Sequence, residues 1–71
     1  MTESIKVYGI EIDSACAALL RVALEASYPD ERKRAIDRMG QLGCNEALGV
    51  VAVKAQYPDE RKRAIDLIGR D

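Results

Sequence analysis

The ten residues Tyr28–Asp37, YPDERKRAID, recur unchanged as Tyr57–Asp66, 29 positions further along the chain. Ten identities in a row do not arise by chance in a chain of 71 residues. The match extends to both sides at the same offset: Leu19, Val22, Ala23 and Ala26 align with Leu48, Val51, Ala52 and Ala55, and Gly40 aligns with Gly69. Apolar positions persist while polar ones drift, as expected of a duplicated structural unit. A period of about 20 to 50 residues points to stacked repeats, each burying its apolar face on its neighbour. An identity this exact implies a recent duplication or a designed sequence.

Within each unit the apolar spacing is helical. Asp13 or Ser14 is a suitable N-cap for a first helix, and Ala15, Leu19, Val22, Ala23 and Ala26 fall on one face of it. Leu20 and Leu24 widen that face, so this helix needs cover on most sides. Pro29 stops it and favours the first turn of the next helix, where Asp30 and Glu31 sit at the positive end of the helix dipole. Asp30 with Arg34, and Lys33 with Asp37, are spaced to pair across one turn. Gly40 or Gly43 ends the second helix. The spacing predicts helices over about 14–27, 30–42, 45–56 and 59–69. The expected core is Leu19, Val22, Ile36, Met39, Leu48, Val51, Ile65 and Ile68.

Residues 1–13 differ. Ile5 to Ile12 alternates in two short runs whose phase slips near Gly9, which predicts a short extended arm, with a bulge at the slip; a continuous helix from Thr2 is the alternative. The fold class expected is therefore all-α: two to two and a half stacked antiparallel helical hairpins in one domain, residues 14–71, preceded by the arm. With no Phe and no Trp the core must be aliphatic.

The segment Pro29-Asp30-Glu31-Arg32-Lys33-Arg34-Ala35-Ile36-Asp37-Arg38-Met39-Gly40-Gln41-Leu42-Gly43 resembles the first helix and terminator of the short HEAT-like repeat typified by the phycobilin lyases. Asn45-Glu46-Ala47-Leu48 and the helix after it resemble the second. The likeness covers roughly residues 14–70. It departs from that pattern where Glu31 and Glu60 replace a more usual apolar residue, and the family's paired His-Glu iron motifs find no counterpart. The resemblance implies a binding scaffold rather than a reaction.

Chemistry has few footholds. There is no His, no Gly-rich phosphate loop and no nucleophile with a base at readable spacing, so no enzyme activity, cofactor or metal is expected. Cys16 and Cys44 lack metal-binding spacing and are expected as free, buried thiols, a disulfide being the alternative. The start of the chain carries no apolar signal segment and no stretch approaches a membrane span in length. The expectation is a cytoplasmic protein without a membrane partner.

Two surfaces stand out. The first is a pair of basic ridges, Arg32-Lys33-Arg34 and Arg61-Lys62-Arg63, able to track a phosphate backbone or simply solvated among Asp30, Glu31 and Asp37. The net charge of −1 and the lack of interleaved aromatics favour the solvated face. The second is apolar: Leu20 and Leu24 at one end, Leu67 at the other, where its sister position holds Arg38, and Ile10 and Ile12 on the arm. These five residues are the expected interface of a two-fold homodimer, the arm supplying an unpaired strand edge. Tyr28 and Tyr57, at the corners before the prolines, are expected to pack over the turns, with partner anchoring as the alternative. The functional expectation is a non-enzymatic protein-interaction or self-assembling module. The alternatives are a small nucleic-acid-associated regulator and a designed repeat protein without biological function.

Overall fold

A computed structural model describes residues 3–70. The N-terminal segment is not a lone arm. Ser4–Val7 (β1) and Ile10–Asp13 (β2) pair antiparallel, with Ile5 opposite Ile12 and Val7 opposite Ile10. Tyr8 (φ 50°) and Gly9 (φ 78°) both adopt positive φ, the two-residue turn whose twist matches that of a hairpin. The phase slip near Gly9 is therefore a chain reversal, and each strand finds its partner within the chain. Glu3 accepts a hydrogen bond from the Ser14 amide at 2.7 Å, seating the hairpin at the start of the first helix.

Among the described residues four helices follow: α1 (Ser14–Glu25), α2 (Pro29–Leu42), α3 (Asn45–Lys54) and α4 (Pro58–Leu67). The Asp13 carboxylate accepts from the Ala15 amide at 3.1 Å and caps α1. Gly43, at φ 71°, ends α2, and the Cys44 amide donates back to the Met39 carbonyl at 2.9 Å. α1 and α3 end two residues sooner than the apolar spacing predicts. The reason is the corner: Ala26 and Ala55 turn extended at (−62°, 142°) and (−61°, 143°), and Tyr28 and Tyr57 follow at (−106°, 133°) and (−109°, 131°). A residue before proline is kept out of the α region, so identical local sequence produces identical corners.

α1 lies along α2 and α3 along α4, and the first pair rests on the second with α1 against α3 and α2 against α4. The hairpin rests on α1 through both strands and on α3 through β2. Leu20, Ile36, Met39, Leu48 and Val51 are fully buried, with Ala23, Ala47 and Ala64 allowing close helix approach, and Ile12 completes the core from β2. Among the residues expected in the core, Val22, Ile65 and Ile68 are exposed and Leu19 is half-buried. Each lies on a side of its helix pair against which no further pair is stacked.

Cys16 and Cys44 form a disulfide with a Cα–Cα distance of 5.8 Å, correcting the expectation of free thiols. Cys16 lies in the first turn of α1 and Cys44 just after α2. Folding α2 back along α1 brings these ends together although 28 residues separate them in sequence.

Candidate protein interface

The repeated arginine has the same local role in both copies. Arg32 Nη1 donates to the carbonyl of Ala26 at 2.9 Å, and Arg61 Nη1 to that of Ala55 at 2.7 Å. Each guanidinium reaches back over its corner to the carbonyl of the C-cap residue just past the preceding helix, which has no partner within that helix.

Beyond the corners the copies diverge. Arg32 donates from Nε to Glu60 Oε1 at 2.9 Å and from Nη2 to Glu60 Oε2 at 3.1 Å. Both side chains are almost wholly buried, at 8% and 3% exposure. The Arg32 guanidinium also lies 4.5 Å from the centre of the Tyr57 ring. The hydrogen bond to Glu60 raises the Arg32 pKa above its ordinary value, so the buried group stays charged. Two outer pairs flank this one. Arg63 binds Asp37 through two bonds of 2.7 Å, and Lys33 lies 3.4 Å from Asp59. The bond from Arg63 holds the Asp37 carboxyl below its usual range, and the same bond raises Arg63. From Arg32–Glu60 to Asp37–Arg63 the partners advance together, so α2 and α4 run side by side in the same direction.

These contacts dismantle the two basic ridges. Arg32 is interior, while Lys33 and Arg63 are engaged with acids of the other decapeptide. The one-turn pair Lys33–Asp37 does not form, because both residues find partners across the helix interface, and Asp30–Arg34 does not form either. Arg61 is half-buried over its corner. Arg34 and Lys62 are exposed and have no ion partner among the described residues.

A shallow depression of about 390 Å³ opens on the side of the first helix pair away from the second. Leu19, Val22, Glu31, Arg34, Ala35 and Arg38 line it. Shifted by 29 residues, these positions are Leu48, Val51, Glu60, Arg63, Ala64 and Leu67, the face by which the second pair meets the first. There Leu48, Val51, Glu60 and Ala64 are buried, Glu60 and Arg63 hold Arg32 and Asp37, and Leu67 packs on Gly40. The first pair thus presents openly the surface that the second uses internally. We call it the leading face. The complementary trailing face, Arg32, Ile36 and Met39 in the first pair, reappears at the far end as Arg61, Ile65 and Ile68. Ile36 is fully buried, whereas its counterpart Ile65 is 57% exposed.

Compared with protein-family models, curated proteins and solved structures, the chain matches none.

The residues expected to form an interface are placed differently from that reading. Ile12 and Leu20 are buried within the chain, where a partner cannot reach them. Leu24 is half-buried in a depression shared with Ile5 and Val7 of β1. Ile10 remains exposed on the hairpin. Leu67 is half-buried against α2: a Cβ at Gly40 would stand 3.1 Å from both Leu67 methyls, so the glycine makes room for the leucine. The contrast between Leu67 and Arg38 therefore runs opposite to expectation, with Arg38 marking the open face. Tyr28 is largely exposed instead of packed over its corner, and Tyr57 lies beneath Arg32. The leading face was missed as a site, although its residues sit 29 positions before apolar residues that a stacked repeat must cover.

Proposed function

We propose that the chain is a non-enzymatic protein-interaction module of HEAT-like stacked helical hairpins, binding through the open face of its first helix pair. The observation that carries this reading is the leading face itself. Val22, 41% exposed, stands where Val51 is fully buried by the neighbouring pair. An apolar surface already suited to covering by another helix pair is left uncovered, and apolar patches rimmed by polar groups mark interaction sites. Glu31, Arg34 and Arg38 supply that rim.

The nucleic-acid reading has less support, because three of its six bases, Arg32, Lys33 and Arg63, are spent on intramolecular acids. The proposal of a cytoplasmic protein stands against one observation: disulfides such as Cys16–Cys44 persist in oxidising compartments. The experiment is to replace Val22 by Asp and measure thermal stability at high dilution, together with binding of the unaltered chain to mixed-sequence DNA and RNA at physiological salt. The expected result is a stability change within about 0.5 kcal/mol, as for a free surface position, and no nucleic-acid binding. A V22D chain that unfolds would place Val22 in the core and end the reading. Salt-dependent nucleic-acid binding would replace it with the basic-ridge alternative.

A further inference from the structure

Resting on that reading, the geometry points to a specific occupant for the leading face: the trailing face of a second copy of this chain, docked head to tail. The reason is internal precedent. The chain already contains one contact between two YPDERKRAID helices, and the parts of that contact reappear unsatisfied at its two ends.

Inside the chain, Arg32 meets Glu60, Lys33 meets Asp59 and Asp37 meets Arg63. Shifted by one unit, the trailing members are Arg61, Lys62 and Asp66 on α4, and the leading members are Glu31, Asp30 and Arg34 on α2. Every pair is opposite in charge in the same order. Among the described residues none of these six makes an ion pair. The apolar parts match as well: Ile65 and Ile68 are exposed on the trailing side, Val22 on the leading side, with Leu19 half-buried beside it. The hairpin packs on α1 and α3 and contributes no residue to the leading depression; at the trailing end its Tyr8 and Ile10 border Gly49 and Val53 of α3 beside the docking surface.

The external contact differs from the internal one in ways that weaken it. Arg38 takes the place of Leu67, opposite Gly69, and Gly49 takes the place of the buried Leu20. Head-to-tail docking is therefore a reversible association needing high protein concentration. It is also open-ended. A heterologous contact that does not close propagates, whereas a two-fold dimer stops at two.

The test is sedimentation velocity on the whole chain from micromolar to millimolar concentration. The unaltered chain should grow beyond two copies as concentration rises. Val22→Asp blocks the leading face and Ile65→Asp the trailing face, so each variant alone should remain a monomer of 7.8 kDa. Mixed in equal amounts, they should form a dimer and nothing larger, because one intact face of each kind remains. A second set guards against misfolding: Asp66→Arg and Arg34→Asp, both at exposed positions, should each weaken growth, and their mixture should restore pairing. An unaltered chain that stays monomeric throughout would overturn the inference while leaving the free leading face, tested by the stability of V22D, intact. Dimers formed by I65D alone would overturn it in favour of a two-fold contact.

Discussion

The two copies of YPDERKRAID have one sequence and two fates. In the first, Arg32 and Ile36 face inward and Glu31 faces solvent. In the second, Glu60 faces inward, and Arg61 and Ile65 lie at or near the surface. The corners that open the two copies are the same to within a few degrees. The difference lies in which side meets a neighbour: the first copy uses its trailing side and the second its leading side. Burial thus belongs to a position in the stack rather than to a residue in the peptide.

The largest test of this contrast is the buried ion pair. Glu60→Ala leaves Arg32 charged and unpaired in the interior and should cost about 3–5 kcal/mol. The same change at Glu31 should fall within about 0.5 kcal/mol. Urea denaturation of both variants measures the gap, and equal losses would break the comparison. Replacing Arg32 and Glu60 together by Met and Leu should recover most of the loss, because the penalty lies in the orphaned charge.

Closure of the two helix pairs offers the next contrast. Cys16–Cys44 ties the start of α1 to the end of α2. At the position offset from Cys16, Asn45 ties the start of α3 to the end of α4 by accepting a hydrogen bond from the Gly69 amide at 3.0 Å. Removing the disulfide with Cys16→Ser and Cys44→Ser should cost about 3–4 kcal/mol, from the freedom returned to the unfolded chain. Asn45→Ala should cost only about 0.5–1.5 kcal/mol, the worth of one hydrogen bond. Thermal melts of the two variants rank them.

Smaller still is the effect of a single methylene. Ile36→Val should cost about 0.5–1.5 kcal/mol and Ile65→Val almost nothing, since only the first leaves a void in packed interior. Equal losses at the two positions would show Ile65 already covered.

The smallest effect is in pH. The Asp37 pKa is lowered from its ordinary 3.8 by Arg63. A depressed folded pKa contributes stability that is present above the unfolded value and is lost as pH falls through the folded one. The advantage of the parent chain over Asp37→Asn should therefore be present near neutral pH and fade below about pH 4. Both side chains are more than two-fifths exposed, so solvent screening limits the difference to about 1 kcal/mol or less. Asp66→Asn is the matched control.

Much of the helical architecture was legible in the residues. Pro29 and Pro58, the acids after them, Asp13 and Gly43 mark helix ends through backbone chemistry that acts within a few residues. The site was not legible to the same degree, because Leu67 against Arg38 could be read from either end of the stack until Gly40 was seen beneath Leu67. Tyr8-Gly9 hid a hairpin because tyrosine is an uncommon residue at positive φ. Its ring there receives Lys54, whose Nζ lies 5.0 Å from the ring centre, a contact from a distant helix that local patterning does not contain.

What the sequence determined by itself was the unit: its 29-residue period, its helices and two corners of one geometry, all products of short-range sterics and hydrogen bonding. What only the tertiary structure decided was the assignment of faces: that Arg32 binds Glu60, that Cys16 meets Cys44, and that Val22 and Ile65 are left outside. Two identical decapeptides present identical surfaces, and nothing within ten residues encodes which side a neighbour will cover. That choice is made by hydrophobic burial, which depends on what lies across the interface and not along the chain.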